Sequence, residues 1–331
     1  MTDGSAAILV EDLRKTFPTR GKGAPVEALR GIDLAVRPAT VLGVLGPNGA
    51  GKTTAVRILT TLLQPTSGRA SVLGHDVVKE ASDVRELIGL TGQTTALVDE
   101  LTGRENLIMM GRLHHLPVDR VSARADELLE RFDLADAAHR PAKTYSGGMQ
   151  RRLDLAASLV SQPQVLFLDE PTTGLDPRSR LGMWDVIREL VKSGTTLLLT
   201  TQYLDEADEL ADEIAVIDRG LVIAAGTSDE LKGRVGGDVV EFTVPDRSQL
   251  PAAVQAVTGM ADDSPTVDEN IGLVVVRVGS RGSDALIDAV RRLDTAEVTS
   301  AGLALRRPSL DDVFLALTGH GAEDAPEEVD V

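Results

Sequence analysis

The segment Gly46-Pro47-Asn48-Gly49-Ala50-Gly51-Lys52-Thr53 constrains the fold of this chain more than any other. It matches the pattern G-x-x-x-x-G-K-[ST], whose glycines let successive backbone N–H groups turn toward one anion at the start of a helix. The uncharged run at 41–45 predicts a buried strand before it, and residues 54–63 predict a helix after it. This order predicts a nucleoside triphosphate site, with Lys52 at the β- and γ-phosphates and Thr53 on Mg²⁺. A glycine-rich turn without a ligand is the alternative.

Composition bounds the class of protein. The chain has 331 residues, 42% of them hydrophobic, which is enough for one large domain and a smaller one. A net charge of −17 argues against a surface that coats nucleic acid, and 2% aromatic residues argue against base stacking. No cysteine is present, so disulfides and thiolate metal sites are excluded. No run approaches the roughly 18 apolar residues of a membrane span, and residues 1–5 lack signal-peptide features, so we expect a partner to provide any membrane attachment.

The spacing of apolar residues predicts an α/β protein. Residues 8–34 alternate in character and predict an antiparallel strand pair beside the nucleotide site. Short apolar runs at 165–168, 196–199 and 214–217, separated by helical stretches, predict further strands of a parallel core sheet. Helical spacing from residue 94 onward predicts an inserted helical subdomain at about 94–160.

A new pattern begins after Gly236-Gly237 and predicts a small α+β domain. Its predicted strands are 239–244, 273–278 and 297–305, and its predicted helices are 250–257, 284–293 and 310–317, the last capped by Ser309. We therefore expect a nucleotide-binding domain at 1–233, an α+β domain at 237–318 and a disordered acidic tail at 319–331.

The segment Leu168-Asp169-Glu170-Pro171 places two carboxylates after an apolar strand, where ligands bind in open α/β sheets. Asp169 suits Mg²⁺ coordination, and Glu170 suits orienting or deprotonating an attacking water. Solvated acids at an ordinary strand end are the alternative. The presence of the phosphate loop in the same chain favours the catalytic interpretation.

A second glycine segment, Tyr145-Ser146-Gly147-Gly148-Met149-Gln150, precedes an arginine-rich helix that begins at Arg151-Arg152. Ser146 suits an N-cap, and the two glycines expose backbone N–H groups to an anion. One nucleotide needs only one such loop. The second therefore indicates a role at the nucleotide of another copy, with a plain helix cap as the alternative.

Over residues 8–231 the chain resembles the nucleotide-binding subunit of an ATP-binding cassette (ABC) transporter. The resemblance rests on the segments above, on Gln93 in Thr91-Gly92-Gln93 and on Asp176 in Gly174-Leu175-Asp176. The resemblance implies a P-loop NTPase fold and a head-to-tail homodimer with two ATP molecules between the subunits. It implies that Gln93 contacts Mg²⁺ or water and senses a membrane partner, and that Asp176 communicates across the dimer. The implied nucleotide contacts are Phe17, Gly46, Pro47, Asn48, Gly49, Ala50, Gly51, Lys52, Thr53, Thr54, Ser146, Gly147, Gly148 and Asp176, and the implied Mg²⁺ contacts are Thr53, Gln93 and Asp169.

Phe17 occupies the position of the family's adenine-stacking aromatic, and a core aromatic is its alternative. Gln202 stands where the family usually carries histidine. Glutamine can donate a neutral hydrogen bond to the γ-phosphate but cannot titrate near neutral pH. Catalysis is therefore expected to rest on Glu170, with Lys52 and Gln202 assisting. Met149 replaces the usual glutamine of the second glycine segment.

Three segments narrow the resemblance to daunorubicin-resistance-type drug-efflux ATPases of actinobacteria: residues 145–149, 200–204 and 306–315 (RRPSLDDVFL). That resemblance implies an ATP-hydrolysing subunit on the cytoplasmic side of the membrane, paired with an ABC-2 type permease that itself contacts the exported drug, antibiotic or lipid-like compound. No nucleic-acid partner is expected. A soluble ABC-type ATPase without a membrane partner, and a regulatory module that barely hydrolyses ATP, are the alternatives.

Overall fold

The phosphate-loop segment lies in the first of two compact units, which meet in sequence between Thr227 and Ser228. A computed structural model describes residues 6–18, 24–234, 237–260, 264–279 and 281–318. The helix Ser228–Arg234 contacts the last helix of the second unit and is grouped with it. The predicted acidic tail at 319–331 lies outside the described residues.

The first unit alternates strands and helices. Its strands are β1 (Ile8–Phe17), β2 (Val26–Val36), β3 (Val41–Leu45), β4 (Ser67–Val72), β5 (His75–Asp76), β6 (Ile88–Thr91), β7 (Val165–Asp169), β8 (Thr196–Thr201), β9 (Glu213–Asp218) and β10 (Leu221–Gly226). Its helices are α1 (Lys52–Leu59), α2 (Ala81–Leu87), α3 (Gly103–Leu113), α4 (Val118–Arg131), α5 (Gly147–Ser158), α6 (Pro177–Lys192) and α7 (Leu204–Leu210). Helix α1 is shorter than predicted because Thr61 adopts a left-handed backbone, with φ of 65°.

The central sheet has the strand order β10-β9-β3-β8-β7-β6. Its pairs are parallel except for β10, which runs antiparallel to β9 at one edge. Every residue of β3, β7 and β8 is buried, as expected for strands covered on both faces. The predicted parallel core sheet is confirmed.

A second sheet of the first unit has the order β2-β1-β4-β5, and its paired strands are antiparallel. This confirms the predicted antiparallel pair of β1 and β2. A backbone relay connects β2 to the phosphate loop, because the Arg30 N–H donates to the Gly220 carbonyl and the Gly220 N–H donates to the Ala50 carbonyl.

Helices α3, α4 and α5 follow β6 and precede β7 in the sequence, and they pack on one another. Thr102 and Glu105 form a capping box that satisfies the first N–H groups of α3. Helix α4 buries Val121, Ala125 and Leu128 along one face, the spacing expected of an amphipathic helix. Within the described residues, no helix is both long and apolar enough to cross a membrane.

The second unit is an antiparallel sheet with helices. Its elements are α8 (Ser228–Arg234), β11 (Asp238–Thr243), α9 (Leu250–Val257), β12 (Thr266–Asp268), β13 (Leu273–Gly279), α10 (Gly282–Thr295), β14 (Ala301–Arg306) and α11 (Leu310–Thr318), with strand order β12-β13-β11-β14. The sequence did not predict β12, because three residues are too few to show a period. Strand β14 begins later than predicted, after Glu297 takes a left-handed φ of 53°.

Candidate active site

Three neighbouring parallel strands end at one edge of the central sheet and bring together the predicted phosphate loop, Asp169, Glu170 and Gln202. Strand β3 ends just before Gly46, β7 ends at Asp169, and β8 ends just before Gln202. In the parallel register Leu45 pairs with Thr201, so the phosphate loop begins beside Gln202. This edge is where open α/β sheets bind ligands.

The phosphate loop is packed tightly against its neighbours at two glycines. A Cβ atom at Gly46 would lie 2.2 Å from the Ile217 carbonyl oxygen, and one at Gly51 would lie 2.5 Å from the Ala28 carbonyl oxygen. Gly51 also has a φ of 109°, a conformation that other residues rarely adopt. Gly46 and Gly51 are therefore required by the close approach of the β9 and β2 backbones.

Lys52 begins helix α1 and is 4% exposed. Its Nζ donates hydrogen bonds to the Gly46 carbonyl at 2.7 Å and the Pro47 carbonyl at 3.1 Å. The same Nζ lies 3.5 Å from Glu170 Oε1, in a buried ion pair. The ammonium thus sits within the loop at the positive end of a helix, an arrangement that suits a phosphate group.

A cluster of side-chain oxygen atoms lies beside Lys52. Thr53 Oγ1 is 3.4 Å from Asp169 Oδ1. Thr200 Oγ1 donates to the same carboxylate oxygen, and it accepts the Glu170 backbone N–H at 3.1 Å. Hydroxyl and carboxylate oxygens are the ligands that Mg²⁺ prefers, so Thr53 and Asp169 fit this ion chemically.

Glu170 is 7% exposed and has a left-handed backbone, with φ of 52°. This conformation is uncommon for a residue with a side chain and is held here by neighbours. The Glu170 N–H bonds the carbonyl of Thr200 at 3.1 Å, and Thr173 Oγ1 donates to Glu170 Oε2 at 3.4 Å. The turn immediately after β7 points the carboxylate toward Lys52.

Arg151 is a site residue to which the sequence assigned no role. It projects from α5, is 6% exposed, and donates to the carbonyls of Gly92 at 2.8 Å and Gln93 at 3.1 Å. It also donates to the carbonyls of Glu170 and Pro171, both at 2.9 Å. Burial lowers the pKa of the guanidinium. The only sequence signal was the arginine pair at the start of α5, which does not indicate which arginine is buried.

Three further predicted residues are more exposed than Lys52 and Glu170. Gln93 follows β6 and is exposed, and Gln202 is half-buried after β8. Phe17 is half-buried at the end of β1, with Lys15 Nζ 5.1 Å from its ring centre. A cation over the ring is compatible with a surface aromatic.

The second glycine segment, 146–148, forms the exposed start of α5. Ser146 caps the helix by accepting the N–H three residues on at 3.3 Å. A Cβ atom at Gly147 would have nothing within 4 Å, whereas one at Gly148 would lie 2.7 Å from Ser179 Oγ. Ser179 in turn donates to Asp176, the cap of α6, and these hydrogen bonds lower the pKa of that carboxyl. Segment 146–148 and Asp176 therefore share one surface.

The fold and this edge define an ABC-type ATPase. The ABC transporter family model matches residues 29–173. Among solved structures, cbiO1 from Clostridium perfringens is 28% identical, with a TM-score of 0.60 over 70% of this chain and 94% of that one. A nucleotide-free ATP-binding cassette of an ABC transporter is 26% identical, with a TM-score of 0.61 over 69% of this chain and 94% of that one.

Relatives of nearly equal length narrow the family. The daunorubicin resistance ATP-binding protein DrrA3 of Streptomyces coeruleorubidus is 58% identical over 95% of this chain and 96% of its own length. The daunorubicin/doxorubicin resistance ATP-binding protein DrrA of Streptomyces peucetius is 50% identical over 91% of both chains. The chain belongs to this family of ABC-type drug-resistance ATP-binding proteins.

Proposed function

We propose that this chain hydrolyses ATP at the cytoplasmic face of the cell membrane and powers efflux of a drug, antibiotic or lipid-like compound through a separate ABC-2 type permease. Hydrolysis is supported by the convergence of Lys52, Asp169 and Glu170 at one sheet edge. Export is supported by similarity to resistance proteins across 95% of the chain, both units included. The separate permease provides the path for the exported compound.

The buried residues suggest how ATP is handled. Phosphate oxygens arriving in the loop attract the Lys52 ammonium, which weakens its pairing with Glu170 and leaves that carboxylate to orient water. Gln202 donates a hydrogen bond to the γ-phosphate. Thr53 and Asp169, with Gln93, would hold Mg²⁺, which when bound would supply positive charge near the transferring phosphoryl group. Phe17 stacks on the adenine ring.

Two copies complete each site. Ser146 and Gly147 are exposed at the positive end of α5, where backbone N–H groups can bind the γ-phosphate of ATP held by a second copy. The remaining loop residues, Asn48, Gly49, Ala50 and Thr54, contact the phosphates of the first copy's own ATP. The ATP-bound form is therefore a head-to-tail homodimer, with Asp176 at the contact.

Glu170→Gln tests the catalytic assignment. The variant keeps the shape of the side chain but cannot accept a proton from water, so it should bind ATP, stop hydrolysis and accumulate as a dimer in size-exclusion chromatography. Lys52→Ala is the matched control, because it should neither hydrolyse ATP nor dimerise. A Glu170→Gln protein that stays monomeric with ATP and hydrolyses it normally would refute the assignment.

Export is tested by co-expression with the candidate permease in inverted membrane vesicles. ATP should drive accumulation of daunorubicin or another transported compound, and Lys52→Ala should abolish it. If this protein fails to associate with the permease-containing membranes while still hydrolysing ATP, the soluble ABC-type ATPase becomes the better description.

A further inference from the structure

Helix α5 carries two buried charged residues in an otherwise largely apolar interior. Arg151 is 6% exposed and Asp154 is 4% exposed, and they lie one turn apart on the same face of the helix. Charged side chains are rarely buried this completely unless they are paired and hydrogen-bonded. Neither residue has a place in the nucleotide contacts proposed above.

Arg151 joins two loops that follow neighbouring strands. Its NH1 group donates to the carbonyls of Gly92 and Gln93 after β6, at 2.8 Å and 3.1 Å. Its Nε and NH2 groups donate to the carbonyls of Pro171 and Glu170 after β7, both at 2.9 Å. One rigid, planar group therefore fixes the distance between the loop of Gln93 and the backbone of Glu170.

Asp154 holds the far end of the same loop. Its Oδ1 accepts the Ala96 N–H at 2.9 Å, while Arg151 holds the carbonyls of Gly92 and Gln93. The two charges also attract each other. Segment 92–96 is thus attached to α5 at both ends by side chains of opposite sign.

We propose that Arg151 and Asp154 form a charged clamp that positions Glu170 for hydrolysis and transmits the position of segment 92–96 to it. Both are positioning residues, and the proposal rests on the catalytic role proposed for Glu170. Glu170 has a left-handed backbone, which persists only because neighbouring groups hold it. Arg151 is one of these groups, because the Glu170 carbonyl is one of the four carbonyls that it binds.

The clamp is tested in the full chain with Arg151→Met and Arg151→Lys. Lysine keeps the charge but cannot reproduce the planar set of donors, so both variants should lower kcat for ATP by about tenfold to a hundredfold. The equilibrium affinity for a fluorescent ATP analogue should stay unchanged, because the phosphate loop is untouched. Hydrogen exchange at the amides of segment 92–96 should become faster in both variants.

Asp154 supplies a conservative pair. Asp154→Asn keeps an oxygen that accepts the Ala96 N–H. The variant should therefore keep the kcat of the unmodified protein, and hydrogen exchange in segment 92–96 should remain slow. Asp154→Leu removes the acceptor, so it should lower kcat and speed exchange in segment 92–96 without changing affinity for the analogue.

Arg124→Met is the structural control. Arg124 donates to the carbonyl of Leu159 at 3.1 Å, just beyond the other end of α5, and pairs with Glu127. It should lower the melting temperature without lowering kcat. The clamp is rejected if Arg151→Met leaves both kcat and hydrogen exchange unchanged. It is also rejected if Arg124→Met lowers kcat as much as Arg151→Met does when the two variants lose the same melting temperature. If Glu170→Gln itself leaves hydrolysis intact, the catalytic assignment fails instead.

Discussion

Replacing Asp154 by asparagine should favour the folded protein more at high pH than at low pH. Burial raises the pKa of Asp154 from 3.8 to about 6, even though the Ala96 N–H and Arg151 favour the charged form. Oδ2 accepts no hydrogen bond from the residues that the structure describes. A carboxyl whose pKa is raised by folding stabilises the folded state below the unfolded pKa, and this contribution is lost as the pH rises through about 6.

The size of the effect follows from the two pKa values. The difference, from 3.8 to about 6, corresponds to about 3 kcal/mol above neutral pH and to about half of that at pH 5. Asparagine carries no charge at either pH and keeps the acceptor for Ala96. The attraction of Arg151 for the carboxylate is already included in the raised pKa. The amide NH2 group that replaces Oδ2 finds no acceptor among the described residues at either pH, so its cost is the same at both and does not affect the difference between them.

Urea unfolding at pH 5 and pH 8 measures this difference. The fluorescence of Trp184, the single tryptophan of the chain, reports the first unit. The change in unfolding free energy caused by Asp154→Asn should be more favourable by about 1 kcal/mol at pH 8 than at pH 5. Asp133→Asn is the matched control, because its side chain is 98% exposed and should show no such difference. An equal change in unfolding free energy at both pH values, or a more favourable change at pH 5, would refute the burial argument.

Three further substitutions probe other parts of the molecule. Gly46→Ala places a Cβ atom 2.2 Å from a backbone oxygen and should abolish ATP binding in calorimetry. Thr200→Val removes the hydroxyl that donates to Asp169, so the apparent Mg²⁺ affinity of hydrolysis should fall about 10- to 100-fold, and an unchanged Mg²⁺ titration would contradict this. Phe242→Ala empties the core of the second unit and should destabilise that unit by about 3–5 kcal/mol in calorimetric unfolding.

Sequence patterns predicted the parts of this molecule that depend on local spacing. The phosphate loop, the carboxylates after β7 and the capped start of α5 each lie within a few consecutive residues, so their residue types indicate their geometry. The parallel core was predictable from apolar runs. The order of its strands was not, because pairing between distant segments leaves no local pattern.

The roles of the other site residues became visible only in the structure. Arg151 and Arg152 are neighbours in sequence, but the direction of the helix face makes the first buried and leaves the side chain of the second 25% exposed. Thr200 lies in a strand whose residues are all buried, and its hydroxyl gains a role only because β8 pairs with β7. Tertiary packing decides both cases, so neither role was predictable from spacing.

The contact between Gly148 and Ser179 places the first turns of α5 and α6 beside each other. The positive end of α5 is exposed here and attracts anions on a chain whose net charge is −17, whereas the Asp176 carboxylate caps the end of α6. Two such chains repel one another at long range, while the phosphates of bound ATP are drawn to this region. At ordinary ionic strength, salt limits the range of this repulsion to about 8–10 Å. Assembly of the proposed dimer should therefore become easier as salt is added, and bound nucleotide should select the orientation in which the copies meet.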